Sequence, residues 1–190
     1  MFDGQPGRRP PAPGQLALVQ AFLNTHFDLT DDWGQEVLHS PSALGGWIAR
    51  RGLGDGGASS EDLQRALSLR GALRRTVEEP NDPGALRGLT ALTCDVPIAV
   101  RFTPDGPRFL PGPSGGVPGA LGALTAIAAA AMLDGTWSRL KLCPGDHCGW
   151  AFYDQSRNRS GRWCSMAVCG GRSKARAHYA RRRAGSPGGR

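Results

Sequence analysis

Four of the five cysteines in this chain form two pairs near its C-terminal end. The pairs are Cys143-x4-Cys148 and Cys164-x4-Cys169, and 15 residues lie between them. Four thiolates from two such short knuckles can close a tetrahedron around one zinc ion, with Zn–S distances of about 2.3 Å. Because four thiolates leave no coordination position for water, the pattern predicts one structural Zn²⁺ rather than a catalytic metal.

The same four cysteines are open to two other interpretations. An iron–sulfur centre uses the same ligand type, so the spacing alone does not exclude iron. Disulfides form in oxidising compartments, and the first residues, "MFDGQPGRRP", lack the apolar stretch of a secretory leader. We therefore expect a cytoplasmic protein with reduced thiols. The fifth cysteine, Cys94, is expected to be a buried small apolar residue.

The most basic part of the chain overlaps this cysteine module. Residues 139–190 contain 12 Lys and Arg against two Asp and Glu, whereas residues 1–138 contain 11 against 14. Such an asymmetry indicates an end of the protein that binds a polyanion, and the alternative is a solvated basic tail without structure. The segment after Gly170-Gly171 is predicted to form a helix at about residues 172–183.

A helix that is basic almost all round has little apolar face to bury, so it would lie against a polyanion. A zinc site immediately before the helix would fix where it begins and where it points. The guanidinium fork of arginine suits both phosphate groups and the guanine edge, whereas Trp163 could stack on a base or pack over the knuckle. The candidate nucleic-acid contacts are Arg157, Arg159, Arg162, Trp163, Arg172, Lys174, Arg176, Arg181, Arg182 and Arg183.

The elements that must position this module are predicted to be mostly helical. Ser40-Pro41, Ser59 with Asp62, and Asp82-Pro83 are signals for helix N-termini. Two short apolar runs around a turn at residues 103–106 predict a β-hairpin. The alanine-rich run that ends at Gly135 is shorter than the ~20 residues of a membrane span, which indicates a buried core helix.

The predicted fold class is mainly α with a small β-hairpin. It comprises a helical N-terminal domain and a small C-terminal four-cysteine zinc finger, which a basic helix follows. Residues 1–14 are expected to be disordered, 15–136 to form the helical domain, 139–183 the finger, and 184–190 a disordered tail.

The helical domain offers one candidate ligand site. Asn24 and Thr25 interrupt the apolar face of the first predicted helix, which runs from Leu16 to Phe27, and Arg70 and Arg74 lie one turn apart on a later helix. These four residues could line a pocket for a small anionic ligand. The alternative is that they are polar residues at the surface or between helices.

The stretch "CGWAFYDQSRNRSGRWCSMAVCGGRSKARAHYARRR" closely resembles the CGNR zinc finger of bacterial proteins associated with stress-induced transcriptional regulation. In that family the finger follows a mostly helical ABATE domain that has been proposed to sense a small ligand, and "LALVQAFLNTH" resembles its opening helix. One position departs from the family, because Gly171 stands where the family has asparagine. We expect zinc binding to survive this change, whereas it puts sequence-specific DNA readout in doubt.

The resemblance implies a transcription regulator that binds DNA through its finger and senses or dimerises through its helical domain. The residues themselves support only a metal-stabilised, polyanion-binding end, so the alternative is a zinc-stabilised adaptor for RNA or an acidic protein partner. We expect no enzyme, because the chain has no phosphate-loop or His-Glu-x-x-His motif. A homodimer is expected because one small finger normally needs a second contact for specificity.

Overall fold

The computed structural model describes residues 6–27, 36–112 and 114–184. Ten helices and strands lie in this part of the chain, besides short 3₁₀ turns at Pro6–Arg8 and Thr136–Arg139 and a π turn at Met166–Gly170. In chain order they are α1 (Leu16–Leu23), α2 (Pro41–Arg50), α3 (Ser60–Glu78), α4 (Pro83–Thr93), β1 (Ile98–Thr103), β2 (Gly106–Pro111), α5 (Gly116–Leu133), β3 (Leu140–Leu142), β4 (Ala151–Tyr153) and α6 (Gly171–Ala184). This architecture confirms the predicted fold class.

The helix starts that the sequence predicts are confirmed. The Ser40 hydroxyl accepts a hydrogen bond from the Ala43 amide at 3.2 Å, and Ser59 forms a reciprocal capping box with Asp62. The Asp82 carboxylate accepts from the Ala85 amide, with proline at the next position. Each cap satisfies an amide that the helix itself leaves without an acceptor.

The alanine-rich helix α5 forms the centre of the helical body. It packs against α1, α2 and α3, and most of its residues from Val117 to Ala131 are buried. Among the described residues it is the one helix long and apolar enough to span a membrane by length and composition, and 56% of that window is buried in the protein. Its position in the core confirms the prediction of a core helix.

The predicted hairpin is confirmed as the antiparallel pair β1–β2, with Thr103 paired to Gly106 at the turn. β2 lies along α5, whereas the outer strand exposes Phe102 to 83%. Cys94, which precedes this hairpin, is exposed rather than buried, and its thiol donates to the Ala91 carbonyl at 3.3 Å. The prediction for Cys94 was wrong because α4 turns that residue away from the core.

The N-terminal segment differs from the expectation of a disordered region over residues 1–14. Within the described residues 6–14, Arg9 contacts the cysteine module and Ala12 is buried in the helical core, and residues 1–5 fall outside the described part. The Arg9 guanidinium donates to the backbone carbonyls of Cys164, Trp163 and Tyr153 at 3.0, 3.0 and 3.3 Å. It also lies over the Phe152 ring, 4.8 Å from the ring centre. A composition rich in proline and glycine does not reveal such long-range partners, which explains the difference.

The C-terminal module shares its core with the helices. Trp137, Leu140, Ala151 and Tyr153 are buried in the same apolar cluster as α1, α2, α3 and α5. The short hairpin β3–β4 is antiparallel, with Leu140 opposite Tyr153. The cysteine module is therefore built onto the helical body rather than attached by a linker.

Candidate metal centre and basic face

The first cysteine knuckle lies in the connection between β3 and β4. The Cys143 amide donates to the Trp150 carbonyl at 2.9 Å and the Cys148 amide to the Gly145 carbonyl at 3.0 Å. The connection turns through left-handed backbone at His147 (φ 55°) and Gly149 (φ 58°). These bonds extend the hairpin and turn both cysteine side chains inward.

The second knuckle is the π turn at Met166–Gly170. The Ser165 hydroxyl accepts from the Val168 amide at 3.3 Å, and the Ser165 carbonyl accepts from the amides of Cys169 and Gly170, both at 3.0 Å. This arrangement holds Cys164 and Cys169 on one side of the turn. Helix α6 begins at the next residue, Gly171.

The four sulfurs meet in the buried space between the knuckles. The Sγ atoms of Cys143, Cys148, Cys164 and Cys169 all lie within 4.8 Å of one another, and Cys164 Sγ is 3.6 Å from both Cys148 Sγ and Cys169 Sγ. A tetrahedron with Zn–S bonds of about 2.3 Å has S–S edges of about 3.8 Å. A disulfide needs about 2.05 Å, so the geometry fits one ion held by four separate thiolates. The cysteines thus provide the single structural zinc site that their spacing predicts.

The pKa values of the cysteine thiols are shifted in opposite directions by the hydrogen bonds between them. Thiol hydrogen bonds from Cys148 and Cys164 lower the pKa of Cys143 to about 2. The same hydrogen bond to Cys143 raises the pKa of Cys148 to about 12. Because zinc binds thiolates, loading this site releases the remaining thiol protons, which makes metal affinity depend on pH.

Aromatic side chains shield the sulfurs from water. Trp150 and Phe152 are buried against the cysteines, and Phe27 and Trp163 pack onto them partly buried. Phe27 meets Trp150 edge-on, with ring centres 5.2 Å apart. The sequence placed Phe27 on the first helix, but α1 ends at Leu23 and the chain then brings Phe27 to the finger.

The loop between β4 and the second knuckle is organised by one buried carboxylate. Asp154 accepts from Lys141 Nζ at 2.7 Å and from the amides of Gly161 and Ser156 at 2.7 and 3.0 Å. Burial raises the pKa of Asp154, but the Lys141 bond and the Ser156 and Gly161 bonds outweigh it and hold the pKa well below its ordinary value. Asp154 is therefore ionised and fixes the loop that carries Arg157, Arg159 and Arg162.

Most of the predicted nucleic-acid contacts lie on the surface of this loop and of α6. Arg157, Arg172, Lys174 and Arg181 are exposed and have no ion pair or side-chain hydrogen bond within the described part of the chain. Three others are engaged, since Arg159 donates to Ser138 Oγ, Arg162 lies over the Trp163 ring and Arg176 pairs with Asp146. The side chains of Arg182 and Arg183 fall outside the described residues.

A cleft of about 140 Å³ lies between the first knuckle and α6. It is lined by Asp146 and its neighbours in the first knuckle, by Trp163, and by Arg172 and Arg176 of α6. The half-buried Trp163 also packs near Gly170, where an added Cβ would lie 3.3 Å from its ring. Trp163 therefore packs over the knuckle and still faces the cleft.

Gly171, where the resembling family has asparagine, is the first residue of α6 and has ordinary helical angles (φ −65°, ψ −46°). The nearest atom to an added Cβ is the Met166 carbonyl oxygen, at 3.5 Å, which is ordinary contact. A Cβ would therefore fit at this position in ordinary contact with its neighbours.

The four residues predicted to line a ligand pocket are brought close together, but the structure gives their polar groups internal partners. Asn24 exchanges two hydrogen bonds with the Ala151 backbone, at 2.8 and 2.7 Å. Arg74 donates to the carbonyls of Leu23, His26 and Gly149. These contacts join α1 and α3 to the strand and knuckle of the finger.

Thr25 and Arg70 belong to a second network of internal hydrogen bonds, beside the contacts that join α1 and α3 to the finger. The Arg70 guanidinium donates to Thr25 Oγ1 at 2.8 Å and forms a two-bond fork with the Glu36 carboxylate at 2.7 and 2.5 Å. Burial raises the pKa of Glu36, but its bonds to Arg70 and to the Leu38 amide lower the pKa on balance. Glu36 thus supplies an anion for Arg70, and these contacts are those of the alternative interpretation, in which the four residues are polar residues between helices.

Arg9, Lys141 and Glu36 hold the site together but were not among the residues predicted from the sequence. Lys141 carried a weak signal, since a lysine two residues before a cysteine ligand lies on the same strand face and can reach the neighbouring loop. Arg9 and Glu36 have partners far along the chain, and no local pattern marks them.

The fold and the site together define a helical protein that carries a four-cysteine zinc finger followed by a basic helix. The model of the family described as CGNR zinc finger matches residues 139–182. The model of the ABATE family, described as "Putative stress-induced transcription regulator", matches residues 8–136. The chain belongs to the ABATE family and ends in a CGNR zinc finger. A search of curated proteins gave no match.

Proposed function

We propose that this chain is a transcription regulator that binds duplex DNA through its C-terminal module. The zinc site fixes the start of α6, and arginine and lysine side chains of α6 and of residues 157–162 contact phosphate groups. Most such contacts position a protein on DNA and carry little sequence information. A role on DNA would place the protein in the cytoplasm, and a homodimer through the helical body would supply a second finger.

The junction between the second knuckle and α6 is the observation that carries this proposal. Cys169 is separated from the first residue of α6 by Gly170 alone, so the zinc site and the helix form one continuous unit. Arg172, Lys174 and Arg181 then extend into solvent without an acidic partner among the described residues. A disordered basic tail would lack such a fixed origin.

Each of the two acidic side chains of the module is paired with a cation of the module. Asp154 is fully buried and pairs with Lys141, and Asp146 pairs with Arg176. These are the two acidic residues of the segment 139–190. The surface that faces a partner is therefore dominated by unpaired cations, which favours a polyanion.

The test compares the wild-type protein with the double variant Arg172→Gln/Lys174→Gln. Binding to a short duplex DNA fragment is measured over a series of salt concentrations. Each phosphate contact contributes about −0.9 to the slope of log K against log salt. We expect the variant to bind more weakly and its slope to become shallower by about 1.8.

The matched control is Arg87→Gln/Arg101→Gln, which removes the same charge from exposed positions on α4 and β1. It should bind nearly as the wild type does. A wild-type response that is flat in salt, or a control that weakens binding as much as the test variant, would contradict the proposal. Tighter binding to duplex RNA or to an acidic peptide would instead favour an adaptor.

A further inference from the structure

The cleft between the first knuckle and α6 contains two arginines in different states. Arg172 and Arg176 are four residues apart, so they are neighbours on one face of the helix. Arg176 Nη1 pairs with Asp146 Oδ2 of the knuckle on the opposite wall. Arg172 has no such partner within the described part of the chain. The cleft thus offers one available guanidinium and one that a carboxylate of the same chain occupies.

A carboxylate and a phosphate bind a guanidinium in the same way. Both present two oxygens that accept two parallel N–H bonds from the planar fork. The Asp146 carboxylate, which contacts Arg176 through Oδ2, therefore stands where a phosphate oxygen would bind this arginine. Trp163, beside it, provides a flat apolar wall against which a sugar or base could lie.

We propose that this cleft binds one phosphate group of the nucleic-acid backbone, and that Asp146 is an internal competitor for it. In the free protein Asp146 holds Arg176, and on binding the phosphate takes the place of the carboxylate. This inference rests on the proposed function, because it assumes that the module binds nucleic acid.

A phosphate group can readily replace the Asp146 carboxylate on Arg176, because the ion pair between these two side chains is exposed. The side chains of Arg176 and Asp146 are 56% and 61% accessible. Exposed ion pairs contribute little to stability, so breaking this one opposes binding by a factor of about five at most. Asp146 therefore lowers the affinity for phosphate without preventing binding.

The first variant, Asp146→Asn, removes the competing charge with almost no change of shape. We expect it to tighten binding of a short fluorescent DNA duplex by about two- to five-fold at moderate salt. The control Asp105→Asn makes the same charge change in the exposed turn of the β1–β2 hairpin and should leave affinity nearly unchanged. In the background Arg176→Gln, Asp146→Asn should lose most of its effect.

A second comparison is made between the two arginines. Arg172→Gln should weaken binding more than Arg176→Gln in the wild-type background, because Arg176 is already partly neutralised. In the Asp146→Asn background the two losses should become equal. The wild-type half of this comparison leaves Asp146 in place, so it tests the inference even if Asp146→Asn lowers the zinc content, which is measured beside each titration.

The outcomes separate this inference from the proposed function. Absence of salt-dependent binding by the wild type would overturn both. A second outcome would overturn only the role of Asp146 as a competitor. In that outcome the wild type shows steep salt dependence, Asp146→Asn binds DNA no tighter than Asp105→Asn, and the two arginine variants lose equal affinity. A gain from Asp146→Asn that persists without Arg176 would show a general charge effect and would also overturn it.

Discussion

Replacing Arg9 by alanine tests whether the N-terminal segment holds the zinc finger in place. The Arg9 guanidinium donates three hydrogen bonds to backbone carbonyls, two of them in the segment that opens the second knuckle. It also stacks over Phe152, which is fully buried beside the cysteines. Arg9→Ala removes all four interactions and leaves three carbonyls without their partner.

The expected loss of stability follows from these contacts. A hydrogen bond that involves a charged group contributes about 1.5–3 kcal/mol, and a partly desolvated cation–π contact about 1 kcal/mol. Arg9 is only half buried and the bonds share one side chain, so the terms do not add fully. We expect the free energy of unfolding to fall by about 3 kcal/mol, which for a chain of this size lowers Tm by roughly 6–12 °C.

The assay is thermal unfolding of the zinc-loaded protein followed by circular dichroism, together with the rate of zinc transfer to a chelator. Arg8→Ala is the matched control, because Arg8 is exposed and has no ion pair or side-chain hydrogen bond within the described residues. Arg9→Ala should unfold earlier and lose zinc faster, and Arg8→Ala should do neither. Equal behaviour of the two variants would refute the idea that residues 6–14 stabilise the finger.

Two further predictions concern the polar groups inside the module. Asp154→Asn should cost about 2–3 kcal/mol near pH 7, because it leaves Lys141 and two loop amides without their charged acceptor. The pKa of Asp154 is lowered on folding, so its contribution is present above about pH 4 and is lost as pH falls further. Denaturant titrations should therefore show a constant gap between variant and wild type at neutral pH that closes in acid, and a gap that persists in acid would contradict the assignment. Asn24→Ala should cost about 2 kcal/mol through its two bonds to Ala151, whereas the exposed Asn158→Ala should cost almost nothing in the same titration.

The parts of the fold that were predictable are those whose cause is local in the sequence. Helix caps such as Ser59 with Asp62 act over three residues, and the turn at residues 103–106 is set by its own proline and glycine. The zinc site belongs to the same group, because two short knuckles bring their cysteines together by their own geometry. The basic helix begins directly after the second knuckle, at the second glycine of the pair.

The hydrogen bonds that connect the helices to the finger were not predictable from local sequence patterns. The sequence shows that Asn24 interrupts an apolar helix face and that Arg74 lies one turn from Arg70, but it does not show which groups form hydrogen bonds with them. Their partners, the backbones of Ala151 and Gly149, lie 127 and 75 residues away. Backbone carbonyls occur at every residue, so nothing in the sequence distinguishes these two.

The common core of finger and helices has a consequence for protein engineering. Leu140, Ala151 and Tyr153 are covered by residues of the helical body, so a fragment beginning at residue 139 would expose apolar surface and lose the bonds from Asn24 and Arg74. Exchanging this finger for that of a relative would require the facing residues of α1 and α3 to be exchanged with it. Because α1 contacts β4 and Asn24, just after α1, is hydrogen-bonded to Ala151 of that strand, a small rotation of α1 would also move β4 and the first knuckle that precedes it.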